Sequence, residues 1–324
     1  MDISLLNVIK LVIALVAIIL LLIGNSVVMV WLERKVAGYV QRRPGPFVVG
    51  PHGILQTVAD AVKLQAKQII LPGSSDRLLF LLGPILSMFP MFLMFLVIPY
   101  GPWLTGLEID LGILLILAFA GLEGLAVLTG GWASNNKYGL IGAARTVSQS
   151  VAYEIPLILA ILSLTFVTGS LNLTTITEGQ SGWVWNWNIF KQPLAFLIFV
   201  MTCFGETNRA PFDLPEGESE LTGGYHTEYS GMGFALFFMA EYTSMLLVSF
   251  LVAVLFLGGS NGLFINGIWW TFLKMGGFMT FMIWVRWTFP RVRFDQLLNI
   301  NWKWLMPLGL LNLWVTAFIV KVLN

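Results

Sequence analysis

Carboxylates are concentrated in one polar segment of an otherwise apolar chain, residues 206–228. The segment also holds one arginine, Arg209, and one histidine, His226. Its six acids are Glu206, Asp213, Glu216, Glu218, Glu220 and Glu228. Apolar residues between them, such as Phe212 and Leu221, favour a folded segment over a solvated loop. It could dock a partner, bind a cation or admit protons, and its spacing does not follow the pattern of known calcium loops.

Further ionisable residues fall in stretches that are otherwise apolar. Three lie within predicted membrane spans and one opens a span: Glu123, Glu241, Lys274 and Glu154. A charge inside a membrane costs about 2.5–3.5 kcal/mol and commonly marks a functional site. The carboxyl groups could relay protons, or they could be polar contacts between packed helices. Lys274 is weaker support, because a lysine near the end of a span can reach the interface.

Glu206 is the one buried acid with a cation at helical spacing in the sequence. Arg209 follows it at i+3, and side chains three apart on a helix are neighbours. The spacing therefore predicts a local ion pair between Glu206 and Arg209.

The composition indicates a membrane protein. Of 324 residues, 57% are hydrophobic and 11% are charged, against about 25% charged in a soluble domain. The single cysteine, Cys203, excludes an iron–sulfur cluster held by this chain alone, since such a cluster needs about four ligands. Two histidines do not suit a pair of haems, and no glycine fingerprint for a dinucleotide is present. If electrons move, partner chains or a diffusible substrate must carry them.

Apolar runs predict an all-α polytopic fold with about eight transmembrane helices in a single integral membrane domain, 1–324. The predicted spans are 11–32, 78–100, 111–132, 155–173, 193–205, 232–257, 262–285 and 304–320. The fifth is short. The tryptophans before it, Trp183, Trp185 and Trp187, either extend it or form an interfacial aromatic belt.

The positive charges predict the orientation. Most of the 18 Lys and Arg residues lie in the first, third, fifth and seventh loops or at their edges: Arg34, Lys35, Arg42, Arg43, Lys63, Lys67, Arg77, Lys137, Arg145, Arg209, Arg286, Arg291, Arg293 and Lys303. Because Lys and Arg are retained on the cytoplasmic side, these loops are predicted to face the cytoplasm and both termini the other side. The two long cytoplasmic loops are then 33–77 and 206–231.

The first loop contains a second kind of element. Within 55–70 the residues Leu55, Val58, Val62 and Ile69 recur at helical spacing, with charged residues elsewhere. That pattern predicts an amphipathic helix on the membrane surface. It is either an ordinary surface helix or one that lines an entrance from the lipid.

The order of residues in 206–221, ETNRAPFDLPEGESEL, closely resembles the signature loop of the H subunit of bacterial NADH:quinone oxidoreductase. This is the respiratory complex I subunit that corresponds to mitochondrial NADH dehydrogenase subunit 1. Further segments resemble that family in the same order, so the resemblance covers essentially the whole chain. They are 33–35, 45–46, 132–138, 153–154, 228–232, 240–242 and 289–296.

The resemblance implies a subunit at the junction of the membrane arm and the peripheral arm, which forms most of a quinone tunnel. It places these residues in or near the quinone chamber: Arg34, Lys63, Glu206, Arg209, Asp213, Glu216, Glu218, Glu220 and Glu228. It places a second set on a proton path into the membrane arm: Glu123, Glu154 and Glu241. The chain would then couple quinone reduction to proton pumping as part of a translocase, without a redox centre of its own.

The resemblance also implies partners and a location. The substrate would be ubiquinone, menaquinone or plastoquinone, with iron–sulfur clusters and flavin on partner subunits and no cofactor bound by this chain alone. The partners would be iron–sulfur and quinone-site subunits of the peripheral arm and antiporter-like membrane subunits, with no nucleic acid. The location would be the prokaryotic plasma membrane.

A few positions depart from the family pattern. Phe47 stands where asparagine is common, Gly205 where alanine is usual, Leu125 where tyrosine is frequent, and His226 where other polar residues are common. They leave open the tunnel width, the quinone type and the hydration near Glu123.

Two alternatives accompany this interpretation. One is the equivalent subunit of a ferredoxin-, deazaflavin- or hydrogen-linked ion-pumping complex, which differs in its electron-input module. The other is a stand-alone proton-coupled transporter. Transporters of that kind often have paired broken helices, and the sequence shows no such pair.

Overall fold

Helices make up most of the protein in the computed structural model, which describes residues 5–101, 104–214, 217, 221–262 and 266–323. The α-helices are α1 Leu5–Val40, α2 Leu55–Ala66, α3 Arg77–Val97, α4 Gly112–Ala133, α5 Lys137–Thr168, α6 Leu173–Glu178, α7 Asn188–Lys191, α8 Pro193–Glu206, α9 Gly231–Leu255, α10 Ile268–Thr288, α11 Phe294–Ile300 and α12 Met306–Leu323. Short 3-10 helices cover Pro51–Gly53, Val184–Asn186 and Gly224–His226, and a π-helix, Asn301–Leu305, joins α11 to α12. The strands β1 Pro99–Gly101 and β2 Leu104–Thr105 form one antiparallel pair.

Seven helices in the described residues are long and apolar enough to cross a membrane. They are Val12–Val40, Arg77–Val97, Gly112–Ala133, Lys137–Thr168, Gly231–Leu255, Ile268–Thr288 and Phe294–Val322. The remaining apolar helix, α8, has 14 residues, fewer than the roughly 20 that a perpendicular span needs. The predicted all-α polytopic membrane fold is confirmed, and the predicted fifth span is the short one.

The predicted start of the fourth span is wrong. The apolar run predicts a start at 155, so that Glu154 opens the helix, whereas α5 begins at Lys137 and carries Glu154 near its middle. Asn136 caps the true start, its side chain accepting a hydrogen bond from the backbone of Tyr138. The residues before 154 resemble a loop because they are polar, but several, including Gln149, are buried inside the protein.

Three other boundaries also differ. Helix α2 ends at Ala66 instead of 70, because the backbone at Lys67 is extended. The tryptophan-rich segment does not extend α8, since Gln192 breaks the helix between α7 and α8. The seventh span begins at Ile268 instead of 262.

Helix α9 is the centre of the bundle. It packs on α3, α10, α1 and α2, and nearly all of its residues from Ala240 onward are buried. A second group forms around α5, which packs on α4, α8 and α12. These two groups position the ionisable side chains described below. We call the end of the molecule that carries α2 and the described residues between Glu206 and Gly231 the α2 end, and the other the opposite end.

Helices α3 and α4 approach each other at a pair of glycines. A Cβ atom on Gly83 would lie 2.9 Å from the Cα atom of Gly130, so no larger residue fits without displacement. The Tyr229 hydroxyl shares its one proton between the carbonyl oxygens of Phe80 (3.1 Å) and Gly130 (3.2 Å), one on each helix. The Tyr229 ring stacks on Phe80 with centroids 4.1 Å apart. The two helices are therefore joined at the α2 end.

Candidate functional site

An apolar cavity of about 700 Å³ lies between α1, α2, α3 and α9. That volume falls within the range of about 300–1,000 Å³ typical of small-molecule sites. Most of its wall is aliphatic or aromatic, including Leu22, Val30, Met88, Phe92, Phe238 and Met239. The cavity therefore suits a ligand that is largely hydrocarbon.

An ion pair stands at the polar edge of this cavity. Arg34 on α1 and Asp60 on α2, both part of the lining, lie 2.6 Å apart, Nη1 to Oδ2. Partial burial opposes ionisation of Asp60, but hydrogen bonds from Arg34 and Gln56, with the charges of Arg34 and Lys63, hold its pKa below the usual value. Of the two predicted wall residues, Arg34 is in the lining; Lys63 is exposed and is not.

Helix α2 is attached to α9 as well as to α1. The Ser230 hydroxyl, just before α9, accepts a hydrogen bond from the backbone of Ile70 (3.0 Å) and donates to the carbonyl of Gln68 (3.2 Å). The segment after α2 is thus fastened to the first turn of α9. The surface helix covers the cavity with one attachment on each side.

A cluster of buried charges lies beyond the cavity at the α2 end. Arg209 Nε lies 2.6 Å from Glu241 Oε1, and its Nη1 lies 3.5 Å from Glu33 Oε2. Arg286 forms a second ion pair with Glu33, and the Tyr242 hydroxyl donates to Glu33 Oε2 at 2.5 Å. The Arg209 guanidinium also lies 4.3 Å from the centroid of the Tyr242 ring. The Arg209 side chain is only 3% exposed, so these charges are held mainly by one another.

The predicted local pair between Glu206 and Arg209 does not form. Helix α8 ends at Glu206, and Asn208 has φ 49°, outside the helical region. The i+3 rule requires a continuous helix, so the chain turns Arg209 toward α1 and α9 instead. Its partner Glu33 is 176 positions away in sequence.

The cavity and the charge cluster adjoin each other. Phe238, which lines the cavity, packs edge-on against the Tyr242 ring with centroids 4.9 Å apart. Val30 lines the cavity one turn before Glu33 on α1. The charge cluster is therefore a near neighbour of the cavity, although its own residues are not in the lining.

Glu206 belongs to a second group of carboxylates inside the bundle. It interacts electrostatically with Glu154 on α5 and with Glu123 on α4. Its Oε2 atom is buried without a hydrogen-bond partner in the part of the chain that the structure describes. Glu206 also lines a small cavity of about 30 Å³ whose other walls are apolar. The structure thus brings Glu206, Glu154 and Glu123 together, whereas Glu241 lies in the charge cluster.

Gln149 fixes the backbone on both sides of the turn that follows Glu206. Its side-chain amide donates to the carbonyls of Gly205 (2.8 Å) and Phe212 (3.0 Å) from a fully buried position on α5. At the surface, Asp213 Oδ2 lies 3.1 Å from Arg291 Nη2. Sequence reasoning misses Gln149 because it selects ionisable side chains only.

Of the remaining acids of the loop, Glu228 is the one that the structure describes. Glu228 Oε1 accepts a hydrogen bond from the Asn136 side chain at 2.6 Å, which ties the loop to the start of α5. Glu216, Glu218 and Glu220 lie outside the described residues. His226 contacts the Tyr225 and Phe234 rings, and burial lowers its pKa to about 4.

Lys274 lies at the opposite end and is held differently. Its ammonium donates to the backbone carbonyls of Leu257 (2.5 Å), Gly259 (2.9 Å) and Asn261 (2.6 Å). It also lies 4.2 Å from the Trp187 ring centroid, a favourable cation–π distance. Lys274 therefore closes the turn after α9.

Comparisons with known proteins show which family the chain belongs to. The family described as NADH dehydrogenase matches residues 12–317 of the chain. Among curated proteins, the H subunit of NADH-quinone oxidoreductase from Desulfotalea psychrophila is 46% identical over 310 residues, covering 92% of this chain and 93% of the relative. The H subunit from Carboxydothermus hydrogenoformans is 45% identical over 309 residues, covering 94% and 87%.

A third relative extends the coverage. The H subunit of NADH-quinone oxidoreductase from Brevibacillus brevis is 43% identical over 318 residues, covering 97% of this chain and 94% of the relative. Such identity along nearly the full length of both chains indicates a shared fold and a shared place in the same kind of complex. The resemblance of the 206–221 segment is confirmed: the chain belongs to the family of H subunits of NADH-quinone oxidoreductase, a membrane component of complex I.

Proposed function

We propose that the 700 Å³ cavity admits a lipid quinone from the membrane and guides its headgroup toward the buried charge cluster. The observation that carries the proposal is that a hydrocarbon-lined cavity adjoins the cluster, since its lining residue Phe238 packs on Tyr242, whose hydroxyl donates to Glu33. An isoprenoid tail needs an apolar wall, and a polar headgroup needs partners at one end. Ubiquinone, menaquinone and plastoquinone all have this division.

The same proposal assigns a coupling role to the carboxylates. Reduction of a quinone takes up protons, and a change in charge beside Arg209 alters the balance among its two carboxylate partners. Buried charges respond strongly to one another because little water screens them. Glu206, Glu154 and Glu123 then offer sites for a proton on three different helices. Acceptance and release by this set would carry the effect of quinone reduction into the membrane arm.

The distribution of charge supports the proposed orientation. Arg and Lys are concentrated in loops at the α2 end, which puts that end at the cytoplasm and both termini on the other side. Subunits of the peripheral arm, with their iron–sulfur clusters and flavin, would dock there. Antiporter-like subunits would continue the carboxylate path within a prokaryotic plasma membrane.

A cavity-filling variant tests the quinone proposal. Ala61 on α2 lines the cavity, whereas Ala66, at the end of the same helix, is exposed and is not part of the lining. In the assembled complex, Ala61→Phe is expected to raise the KM for quinone by about tenfold, the order of effect produced by losing a few methylene contacts in an apolar pocket. NADH oxidation by an acceptor that bypasses the quinone should remain unchanged.

Ala66→Phe is the matched control and should leave the KM for quinone near its starting value. Equal KM values in Ala61→Phe, Ala66→Phe and the parent complex would contradict the proposal, provided that all three assemble to the same level.

A further inference from the structure

Buried polar atoms without partners surround residues 205–213 on the side away from the quinone cavity. Within the described ranges, these atoms have no hydrogen-bond partner: Gln149 Oε1, the Tyr153 hydroxyl, Glu206 Oε2, Asn208 Oδ1, Asp213 Oδ1, and Nδ2 and Oδ1 of Asn301. Nearly all buried polar groups in proteins are paired with protein or with ordered water. A group of them in one place therefore indicates a ligand that both donates and accepts hydrogen bonds.

These atoms belong to one continuous region. Gln149 hydrogen-bonds to the residues that precede Glu206 and Asp213, the carbonyls being those of Gly205 and Phe212. Tyr153 lies one turn further along α5, and its ring packs on Phe212 with centroids 5.4 Å apart. The backbone of Gly205 also packs closely on that ring, since a Cβ atom added there would lie 2.3 Å from the Tyr153 Cδ2 atom.

Asn301 lies beside Tyr153 and belongs to the same region. It is fully buried and begins the π-helix Asn301–Leu305, which packs on α5. The Tyr153 hydroxyl lies beside the Asn301 amide without meeting hydrogen-bond geometry. Single π-helical turns are rare and frequently occur at functional sites. Here the turn places an amide with unused donors and acceptors inside the protein.

The region has an outer and an inner end. The outer end is the Asp213–Arg291 pair, in which the Arg291 side chain is 35% exposed. The inner end is Glu206, which faces the carboxylates of Glu154 and Glu123. Among the described residues, the Tyr153 hydroxyl on α5 and the Cys203 thiol also face this path, and the thiol interacts electrostatically with Glu206.

We propose that water molecules held by Asn301, Tyr153, Gln149 and Asp213 carry protons from the surface at the α2 end to Glu206. Water fits because it donates and accepts, and buried waters typically make about three hydrogen bonds to otherwise unpaired groups. When Glu206 passes its proton to a neighbouring carboxylate it becomes anionic, and a proton relayed from bulk water restores the acid; nothing is oxidised. None of the four residues lines the 700 Å³ cavity, so this supply is separate from the quinone route.

The inference rests on the proposed role of Glu206 as a proton carrier, and two variants of Asn301 test it. Asn301→Leu keeps the size of the side chain and removes both amide atoms, whereas Asn301→Asp keeps the polarity. In the assembled complex, Asn301→Leu should slow quinone-linked turnover about tenfold on the alkaline side, where protons are scarce, and much less on the acidic side. The KM for quinone should stay unchanged, and Asn301→Asp should restore the pH profile.

Wild-type pH profile and proton yield in Asn301→Leu would overturn the inference, and so would equal damage in Asn301→Leu and Asn301→Asp. If Asn301→Leu fails to assemble, Tyr153→Phe decides, because it removes one hydroxyl only. The same alkaline loss in Tyr153→Phe supports the path, and an unchanged profile overturns it. Ala61→Phe still reports on the quinone route in either case, so failure of one proposal is distinguishable from failure of the other.

Discussion

Two buried cations, Arg209 and Lys274, are stabilised by different kinds of groups at the two ends of the molecule. Arg209 at the α2 end is paired with carboxylate side chains, those of Glu33 and Glu241. Lys274 at the opposite end is surrounded by three backbone carbonyls and an aromatic ring. Both cations are almost completely buried.

The two sites differ in whether the groups around the cation can change their charge. A carboxylate can gain or lose a proton, so the charge around Arg209 can vary with what occupies the neighbouring cavity. A backbone carbonyl keeps the same dipole at any pH, so the groups around Lys274 do not change their charge. The first arrangement suits coupling, and the second suits holding a turn in place.

Arg209→Met should have the largest effect. It leaves Glu241 and one oxygen of Glu33 without their buried cation, and breaking a buried ion pair costs about 3–5 kcal/mol. Quinone-linked turnover is expected to fall by at least about a hundredfold, while electron transfer to an acceptor that bypasses the quinone continues. Turnover and assembled complex are measured in the same membranes.

The control for Arg209→Met is Arg43→Met. Arg43 is exposed, and its Nε hydrogen-bonds to Gln41, so its loss should change stability by less than about 0.5 kcal/mol. Normal turnover and pumping in Arg209→Met would show that the charge cluster is a structural contact and has no part in coupling.

Lys274→Met should affect stability and not chemistry. Three carbonyls lose a charged donor, and hydrogen bonds to charged groups contribute about 1.5–3 kcal/mol each. We expect the free energy of unfolding to fall by about 5 kcal/mol, near the lower end for three such bonds, seen as a lower thermal midpoint, with unchanged kcat and KM in the complexes that remain folded. Lys191→Met, exposed at the same end, should change neither. A specific loss of proton pumping in Lys274→Met would contradict the assignment of Lys274 to a purely structural role.

Asp60→Asn should have the smallest effect, because solvent screens the pair that it breaks. Arg34 is 45% exposed, and exposed pairs contribute less than about 1 kcal/mol. The folded-state pKa of Asp60 is lowered, so the pair contributes above the unfolded pKa of about 3.9 and is lost as the pH falls through the folded value. At neutral pH the KM for quinone should change by about twofold, and less at high salt. A change of about tenfold in the KM for quinone that salt does not reduce would show that the Arg34–Asp60 pair behaves as a buried ion pair.

Sequence patterns predict the helices best where a long apolar run has no polar interruption. Helix α9 is predicted at 232–257 and found at Gly231–Leu255. Helix α5 is misplaced because burial of polar residues such as Gln149 and Thr146 is a tertiary effect. No local pattern states whether a polar side chain faces lipid, water or another helix.

The sequence can suggest which residues belong to the charge cluster, but it does not show which of them contact each other. The sequence selects Arg209 and Glu241 as candidate site residues, and the structure pairs them with each other and with Glu33 and Arg286, which the sequence does not select. Glu33 is flanked by Arg34 and could be satisfied locally, so nothing nearby signals a partner far along the chain. A carboxylate at the polar end of the first apolar run is the one signal that could have found it.

The glycine contact between α3 and α4 has a mechanical consequence for the cavity. Gly83 and Gly130 are in near contact, and Tyr229 bonds to both helices, so the α3 wall is stiff. Helix α1 is largely exposed, and α2 is attached by one screened ion pair and one serine. The helices on the α1–α2 side of the cavity are therefore the ones that can move most easily. A bulky ring that passes into the cavity would be expected to displace the surface helix and leave α3 where it is.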